Sequence, residues 1–302
     1  MAEITEKIKR LKKEKNAVIL AHCYQNPEID EVADFVGDSL YLSRMAAQTD
    51  ADIIVFAGVY FMAQTAKILS PDKKVLLPRK EAGCAMADMI NLEQLRNFKA
   101  QYPGIPTVCY INSTAEVKSE CDICCTSSNA LQIVKSLNSA KVLFLPDQYL
   151  GKWVEAKLKN IEVITYDGCC PVHRNVLPDD VLKVKNLNPD AKILTHPECR
   201  KEVAALSDYV GSTTGIMKYA KESSAEAFII ATEKGVLDRL KRDCPNKKFI
   251  PVKDNLLCES MKCTRLEDIY DALNNEQYEI TVEKTLSAKA LSCIDKMLEV
   301  SK

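Results

Sequence analysis

Cys84, Cys170 and Cys258 fall 86 and 88 residues apart, and the same interval recurs among residues of quite different chemistry. His22, Tyr110 and His196 are spaced by 88 and 86. Tyr24, Asn112 and Glu198 keep that spacing, as do Ser39, Ser127 and Thr213. A chain that repeats thiols, rings and hydroxyls in step is constrained to three copies of one unit facing a shared centre. Three thiolates at such a centre suggest an iron–sulfur cluster with one iron left open. The plainer alternative is three buried cysteines that merely inherit their positions from the repeat.

The runs between these residues predict the fold. Unit one carries apolar segments at 16–22, 52–58 and 74–78, unit two at 106–110, 141–146 and 161–166, and unit three at 191–196, 227–231 and 248–251. Continuous apolar runs alternating with helix-length stretches signal parallel strands buried on both faces. The expected class is α/β: three similar doubly wound α/β/α domains with short parallel sheets, related by pseudo-threefold symmetry. The expected spans are 1–86, 87–172 and 173–302, with a last helix at 285–302 that packs on unit three or folds back on unit one. Open α/β sheets bind ligands at the carboxyl ends of their strands. His22, Tyr110 and His196 belong at the ends of first strands, and the three cysteines lie a few residues past the last ones.

Helix starts fit this layout. Gly37-Asp38-Ser39, Thr126-Ser127-Ser128 and Gly211-Ser212-Thr213-Thr214 each read as a turn feeding a helix N-terminus, where free N–H groups favour an anion. An ordinary N-cap accounts for any one such Ser or Thr, but three in register with the other triplets point to an anion site. The chain has only three histidines, His22, His173 and His196, and His173 follows Cys170 closely enough to reach the same pocket.

Composition narrows the function classes. Lys and Arg total 41 against 42 for Asp and Glu, which argues against a dedicated nucleic-acid binder. The basic run from Lys7 to Lys15 is preceded by Glu6 and interrupted by Glu14, and reads as a solvated helix face. Residues 1–15 lack the apolar core of a signal peptide, and the uncharged stretch Ile53–Ala66 is too short to span a bilayer. A cytoplasmic protein with no membrane association is expected, where 13 cysteines call for ligation, catalysis or packing rather than disulfides. Cys121-Asp-Ile-Cys124-Cys125 could bind zinc or exchange thiols, but no second ligand pair at suitable spacing accompanies it. Cys23, Cys109, Cys169, Cys199, Cys244 and Cys293 read as packing residues. Three widely spaced thiolates differ from ferredoxin runs of four, and an iron left open would act as a Lewis acid.

The chain resembles quinolinate synthase, the iron–sulfur enzyme of de novo NAD synthesis, over almost its whole length. The resemblance rests on the segments Leu20–Gln25, Gly37–Leu40, Gly58–Leu69, Ala82–Met89, Tyr110–Lys118, Asp122–Ser127, Thr195–Cys199, Gly211–Thr213 and Cys258–Lys262. It implies three α/β domains and one [4Fe–4S] cluster per chain, held by Cys84, Cys170 and Cys258. The family pattern Gly-x-Cys-x-Val-His on Gly168–His173 selects Cys170 over Cys169, and Cys-x-x-Met-Lys selects Cys258 over Cys263. Some members carry extra cysteines near the third ligand in a disulfide-capable arrangement, whereas this chain has only Cys263 there.

The implied reaction condenses iminoaspartate with dihydroxyacetone phosphate to quinolinate, phosphate and two waters, with the open iron as Lewis acid. An L-aspartate oxidase or dehydrogenase is the implied upstream partner. By resemblance His22, Ser39, Ser127, Ser212 and Thr213 hold carboxylate or phosphate oxygens, and Tyr110 and Asn112 orient the dicarboxylate. Glu198 is the general base or acid, Tyr24 and His196 assist isomerisation and dehydration, and His173 lines the pocket. Competing readings are a non-catalytic iron–sulfur sensor of small dicarboxylates, and a zinc or thiol-redox protein built on Cys121 and Cys124. The acid/base set of Glu198, Tyr24 and His22 argues against pure binding.

Overall fold

The computed structural model describes residues 2–302. In the first unit β1 (Ala17–His22), β2 (Phe35–Gly37), β3 (Ile53–Ala57) and β4 (Lys74–Leu76) form a sheet in the order β2-β1-β3-β4. In the second, β5 (Thr107–Tyr110), β6 (Ile123–Cys125), β7 (Lys141–Leu145) and β8 (Glu162–Thr165) repeat it as β6-β5-β7-β8. The third sheet, of β9 (Lys192–Thr195), β10 (Tyr209–Val210), β11 (Ala227–Ala231) and β12 (Lys248–Pro251), has the order β10-β9-β11-β12. All pairings between these strands are parallel. The chain is therefore α/β with three similar α/β/α units.

Side chains alternate between two covered faces, as the pleat demands. Leu20, Ile54 and Phe56 enter one core, while Ile19, Ala21, Val55 and Ala57 enter another. In the third sheet Ile193, Ile229 and Ala231 oppose Leu194, Phe228 and Ile230 in the same way. Two-sided burial is why these strands are unbroken apolar runs. Each fully buried Leu, Ile or Phe contributes about 1.5–3 kcal/mol.

Each sheet has four strands where the apolar runs predict three. The additional ones, β2, β6 and β10, are edge strands of three, three and two residues, too short to show a period. They place the hydroxyl-bearing loops. His22 pairs with Gly37, Tyr110 with Cys125 and Thr195 with Val210, so each loop emerges beside the end of a first strand. No helix among the described residues is long and apolar enough to cross a membrane.

The C-terminal region departs from expectation. Helix Leu266–Asn275 packs on helix Ala2–Glu14 and on β3, burying Leu266, Ile269, Ala272 and Leu273 in the first unit. The last helix, Lys284–Val300, rests chiefly on β6 and helix Ala115–Lys118 of the second unit, and also on helix Tyr60–Leu69 of the first. Its buried stripe of Ala290, Cys293, Ile294 and Met297 has the helical spacing of one apolar face. Asn129 donates to the Ser301 hydroxyl at 2.7 Å and Lys296 to the Asp122 carbonyl at 3.0 Å, so its end is tied to both sides of β6. We predict that Ile294→Ala, which empties a fully buried site, costs about 2–5 kcal/mol. Chemical denaturation checks this, and a change below ~1 kcal/mol would contradict the packing.

Candidate functional site

One cavity of about 310 Å³ receives residues from all three units. It lies where strand order reverses, at the carboxyl ends of the first and third strands of each sheet. His22 ends β1, Tyr110 ends β5 and His196 follows β9. The two histidines are held alike: Nδ1 of His22 accepts from the Tyr24 amide at 3.2 Å, and Nδ1 of His196 from the Glu198 amide at 3.3 Å. With Nδ1 accepting, the proton sits on Nε2. His196 Nε2 reaches Ser127 Oγ at 3.3 Å. Burial disfavours the imidazolium form, lowering His22 to about 4 and His196 to about 3.

Tyr110 takes the histidine position in the second unit, and its hydroxyl donates to Glu198 Oε1 at 2.6 Å. Glu198 Oε2 lies 2.7 Å from His173 Nδ1. Burial works against a charged Glu198, but the adjoining His196 and His173 and the bonds from His173 and Tyr110 outweigh it and hold the carboxyl low. His173 stacks on His196 with ring centroids 4.6 Å apart. Its Nε2 lies 2.8 Å from Thr232 Oγ1, and the Tyr24 hydroxyl 3.3 Å from the same oxygen. Burial pushes both Tyr24 and Tyr110 upward, so they keep their protons.

The hydroxyl triplet is less regular than its spacing. Ser39 opens helix Ser39–Gln48 and Thr213 opens helix Thr213–Glu222, but the caps are their predecessors Asp38 and Ser212. Ser212 Oγ accepts from the Gly215 amide at 3.1 Å and is not among the cavity lining, so the ordinary cap describes that residue. Ser127 lines the cavity from a turn ahead of helix Ala130–Ser136, in a loop fixed by Asn129. Asp38 accepts from Ser128 at 2.9 Å and Thr214 at 2.7 Å, tying the first unit to the other two. Asn112 lines the same cavity, and its buried Oδ1 has no hydrogen-bond partner. A buried unpaired carbonyl costs roughly 1–3 kcal/mol unless a ligand or water meets it.

Cys84, Cys170 and Cys258 line the cavity from all three units. Each starts a helical turn, its carbonyl accepting at 3.0, 2.9 and 3.0 Å from the amides of Asp88, Arg174 and Lys262. Burial pushes the Cys84 thiol up to about 12 and Cys258 to about 11, and raises Cys170 as well. Cations are what turn such thiols into thiolates. Among the described residues, Cys170, His173 and Glu198 are the one set of three whose ligand atoms all lie within 4.8 Å of one another. The three cysteine sulfurs are thus too spread to share one ion, whose bound thiolates would stand about 4 Å apart. Three thiols facing one cavity are compatible with the ligand set of an iron–sulfur enzyme.

The other cysteines lie elsewhere. Cys169 is 3.8 Å from Arg174 and Cys263 donates to the Ser260 carbonyl; neither they nor Cys23 line the cavity. Cys124 is buried 3.1 Å from Cys293, with Cys109 in hydrogen-bonding reach of Cys121 and Cys124. No three of these thiols come within mutual ligand reach among the described residues. This group belongs to the core beneath the last helix, together with the buried Lys118.

A family model described as quinolinate synthetase A protein matches residues 6–299. The chain is 55% identical over 295 residues to the quinolinate synthase of Alkaliphilus metalliredigens, covering 98% of this chain and 97% of that one. It is 52% identical to the quinolinate synthase of Dehalococcoides mccartyi over 99% of this chain and 98% of that one. With quinolinate synthase 2 of Methanosarcina acetivorans it shares 49% identity over 99% and 96%. The chain belongs to the quinolinate synthase family.

Several cavity residues of this quinolinate synthase family member escaped the sequence reading. Asp38 and Thr232 line or brace the pocket, and Asp147 and Glu233 are buried carboxylates beside the cysteine loops. Asp147 and Glu233 are 86 residues apart, so the repeat interval was a usable signal for that pair.

The buried imidazoles generate a pH prediction. Free histidines protonate near 6.5, whereas His22 and His196 resist until about 4 and 3. Below pH 6.5 the unfolded chain therefore binds more protons, and stability falls as pH drops. The melting temperature of the apoprotein is expected to decline from pH 7 to 5, less steeply in His22→Asn or His196→Gln. Identical slopes would show that these imidazoles are not held neutral.

Proposed function

We propose that the protein condenses iminoaspartate with dihydroxyacetone phosphate, forming the pyridine ring of quinolinate and releasing phosphate and two waters. The observation that carries the reading is the buried Glu198 carboxylate, held by Tyr110 and His173 in the cavity that the three cysteines share. Pure binding of an anion has no use for a buried carboxylate, whereas carbon–carbon condensation and dehydration need a base inside the pocket.

In this reading Cys84, Cys170 and Cys258 hold a [4Fe–4S] cluster. With three protein thiolates, one iron is free to supply Lewis-acid polarisation of substrate oxygen or nitrogen. No lysine or arginine lines the cavity among the described residues. Substrate carboxylate and phosphate oxygens are then met by neutral donors: the imidazole N–H of His22, the hydroxyls of Ser39, Ser127 and Thr213, and the N-termini carrying Ser39 and Thr213. Tyr110 and the carboxamide of Asn112 orient the dicarboxylate.

Glu198 takes protons from carbon during condensation and ring closure. Two donors weaken it in the free enzyme, and a substrate group that displaces one of them meets a stronger base. Tyr24, with its hydroxyl proton, and His196, with its proton on Nε2, donate to oxygens in the isomerisation and dehydration steps. Iminoaspartate hydrolyses readily, which suits supply by an L-aspartate oxidase or dehydrogenase in the same compartment, the cytoplasm.

Anaerobically purified protein is expected to be brown, to carry about four irons per chain and to make quinolinate from the two substrates. A colourless, zinc-loaded protein without that activity would remove the reading. Glu198→Gln should keep iron and substrate binding and lose turnover by at least ~100-fold; wild-type turnover would dismiss Glu198 as the base. Cys170→Ser should lose the cluster while Cys169→Ser retains it, and the reverse would refute the ligand choice.

A further inference from the structure

The helix that follows the third strand of each unit is docked to a cysteine loop by the same main-chain bond. The amide of Tyr60 donates to Ala82, that of Gln148 to Gly168 and that of Lys234 to Leu256, at 2.7, 2.8 and 2.9 Å. Each acceptor stands two residues before a cavity cysteine: Cys84, Cys170 and Cys258. At Gly168 the approach is so close that a Cβ would stand 2.5 Å from the Pro146 carbonyl oxygen.

In two units this dock has a second bond. The residues capping these helices are Val59, Asp147 and Glu233, spaced by the same 88 and 86. Asp147 accepts from the Leu150 amide at 2.7 Å with one oxygen and from the Cys170 amide at 3.0 Å with the other. Glu233 accepts from the Gly235 amide at 2.5 Å and from the Cys258 amide at 3.2 Å. Both side chains are fully buried. A cap needs only one acceptor oxygen and is as good at the surface. Burying a carboxylate is costly unless its bonds are made, and here half of them go to cysteine amides. Val59 makes no side-chain cap bond.

We propose that Asp147 and Glu233 are positioning residues that clamp the main chain of Cys170 and Cys258 and so aim their sulfurs at the cluster. The clamp rests on the reading that these cysteines are cluster ligands. It is built into two of the three repeats, with Cys84 held by the main-chain dock without it. Partners that orient metal ligands typically matter 10–100-fold for metal retention.

Asp147→Asn and Glu233→Gln keep shape but leave one acceptor oxygen, so either the cap or the cysteine amide loses its bond. Each variant, purified anaerobically with its cluster, is challenged with a ferrous chelator and titrated for its reduction potential. Iron loss at least ~10-fold faster than wild type is expected, with a shifted potential, in apoproteins that still fold but melt lower because one buried bond is gone. Glu283→Gln, which makes the same change at the cap of the remote last helix, is the comparison and should release iron at the wild-type rate. Wild-type iron release and potential in both carboxylate variants would overturn the proposal. Equal acceleration in Glu283→Gln, or failure of both variant apoproteins to fold, would also overturn it by making the effect one of general stability. Cys170→Ser and Cys258→Ser separate the two levels. If they retain the cluster the ligand reading fails, and if they lose it while the carboxylate variants behave as wild type only the clamp fails.

Discussion

The hydrogen bonds that cross between units are what the rest of the structure depends on. Glu198 of the third unit is satisfied by Tyr110 of the second, His196 of the third by Ser127 of the second, and Tyr24 of the first reaches Thr232 of the third. Asp38 of the first unit receives hydroxyls from both others. Buried polar groups are tolerable only when bonded, and each unit satisfies only part of its own strand ends, the rest being met by a neighbour. The cavity and the association of the three sheets are therefore one problem with one solution.

Repetition supplies the frame, and departures from it supply chemical asymmetry. At one level of the repeat stand His22, Tyr110 and His196; two residues on stand Tyr24, Asn112 and Glu198. The two imidazoles are fixed by identical bonds to the second residue beyond them. Where tyrosine replaces histidine, a hydroxyl reaches across to the one carboxylate of the set. A threefold pocket of identical residues would be a binding site of one chemistry. This one sets a single buried carboxylate among imidazoles and phenols.

Much of this was legible in the chain. β1, β3, β5, β7, β9 and β11 are buried on both faces, so hydrophobicity marks them without ambiguity. β2, β6 and β10 were not legible, because two or three residues at a sheet edge carry no period. Spacing brought Ser39, Ser127 and Thr213 to one cavity but could not tell cap from first helical residue, a distinction that turns on single backbone angles. The Asp147 and Glu233 pair kept the interval but made no triplet, because its first-unit counterpart is Val59, which breaks the chemical pattern. The last helix stayed open between units for another reason: its apolar stripe says that it packs, not on which unit.

The central claim is that thiols from three repeats converge on one iron–sulfur centre. Anomalous diffraction at the iron edge, from crystals grown without oxygen, tests it most directly. The account predicts one compact iron peak bonded to the sulfurs of Cys84, Cys170 and Cys258, with no fourth cysteine ligand. Iron on Cys121 and Cys124, a fourth thiolate on the cluster, or no iron in the cavity would contradict it.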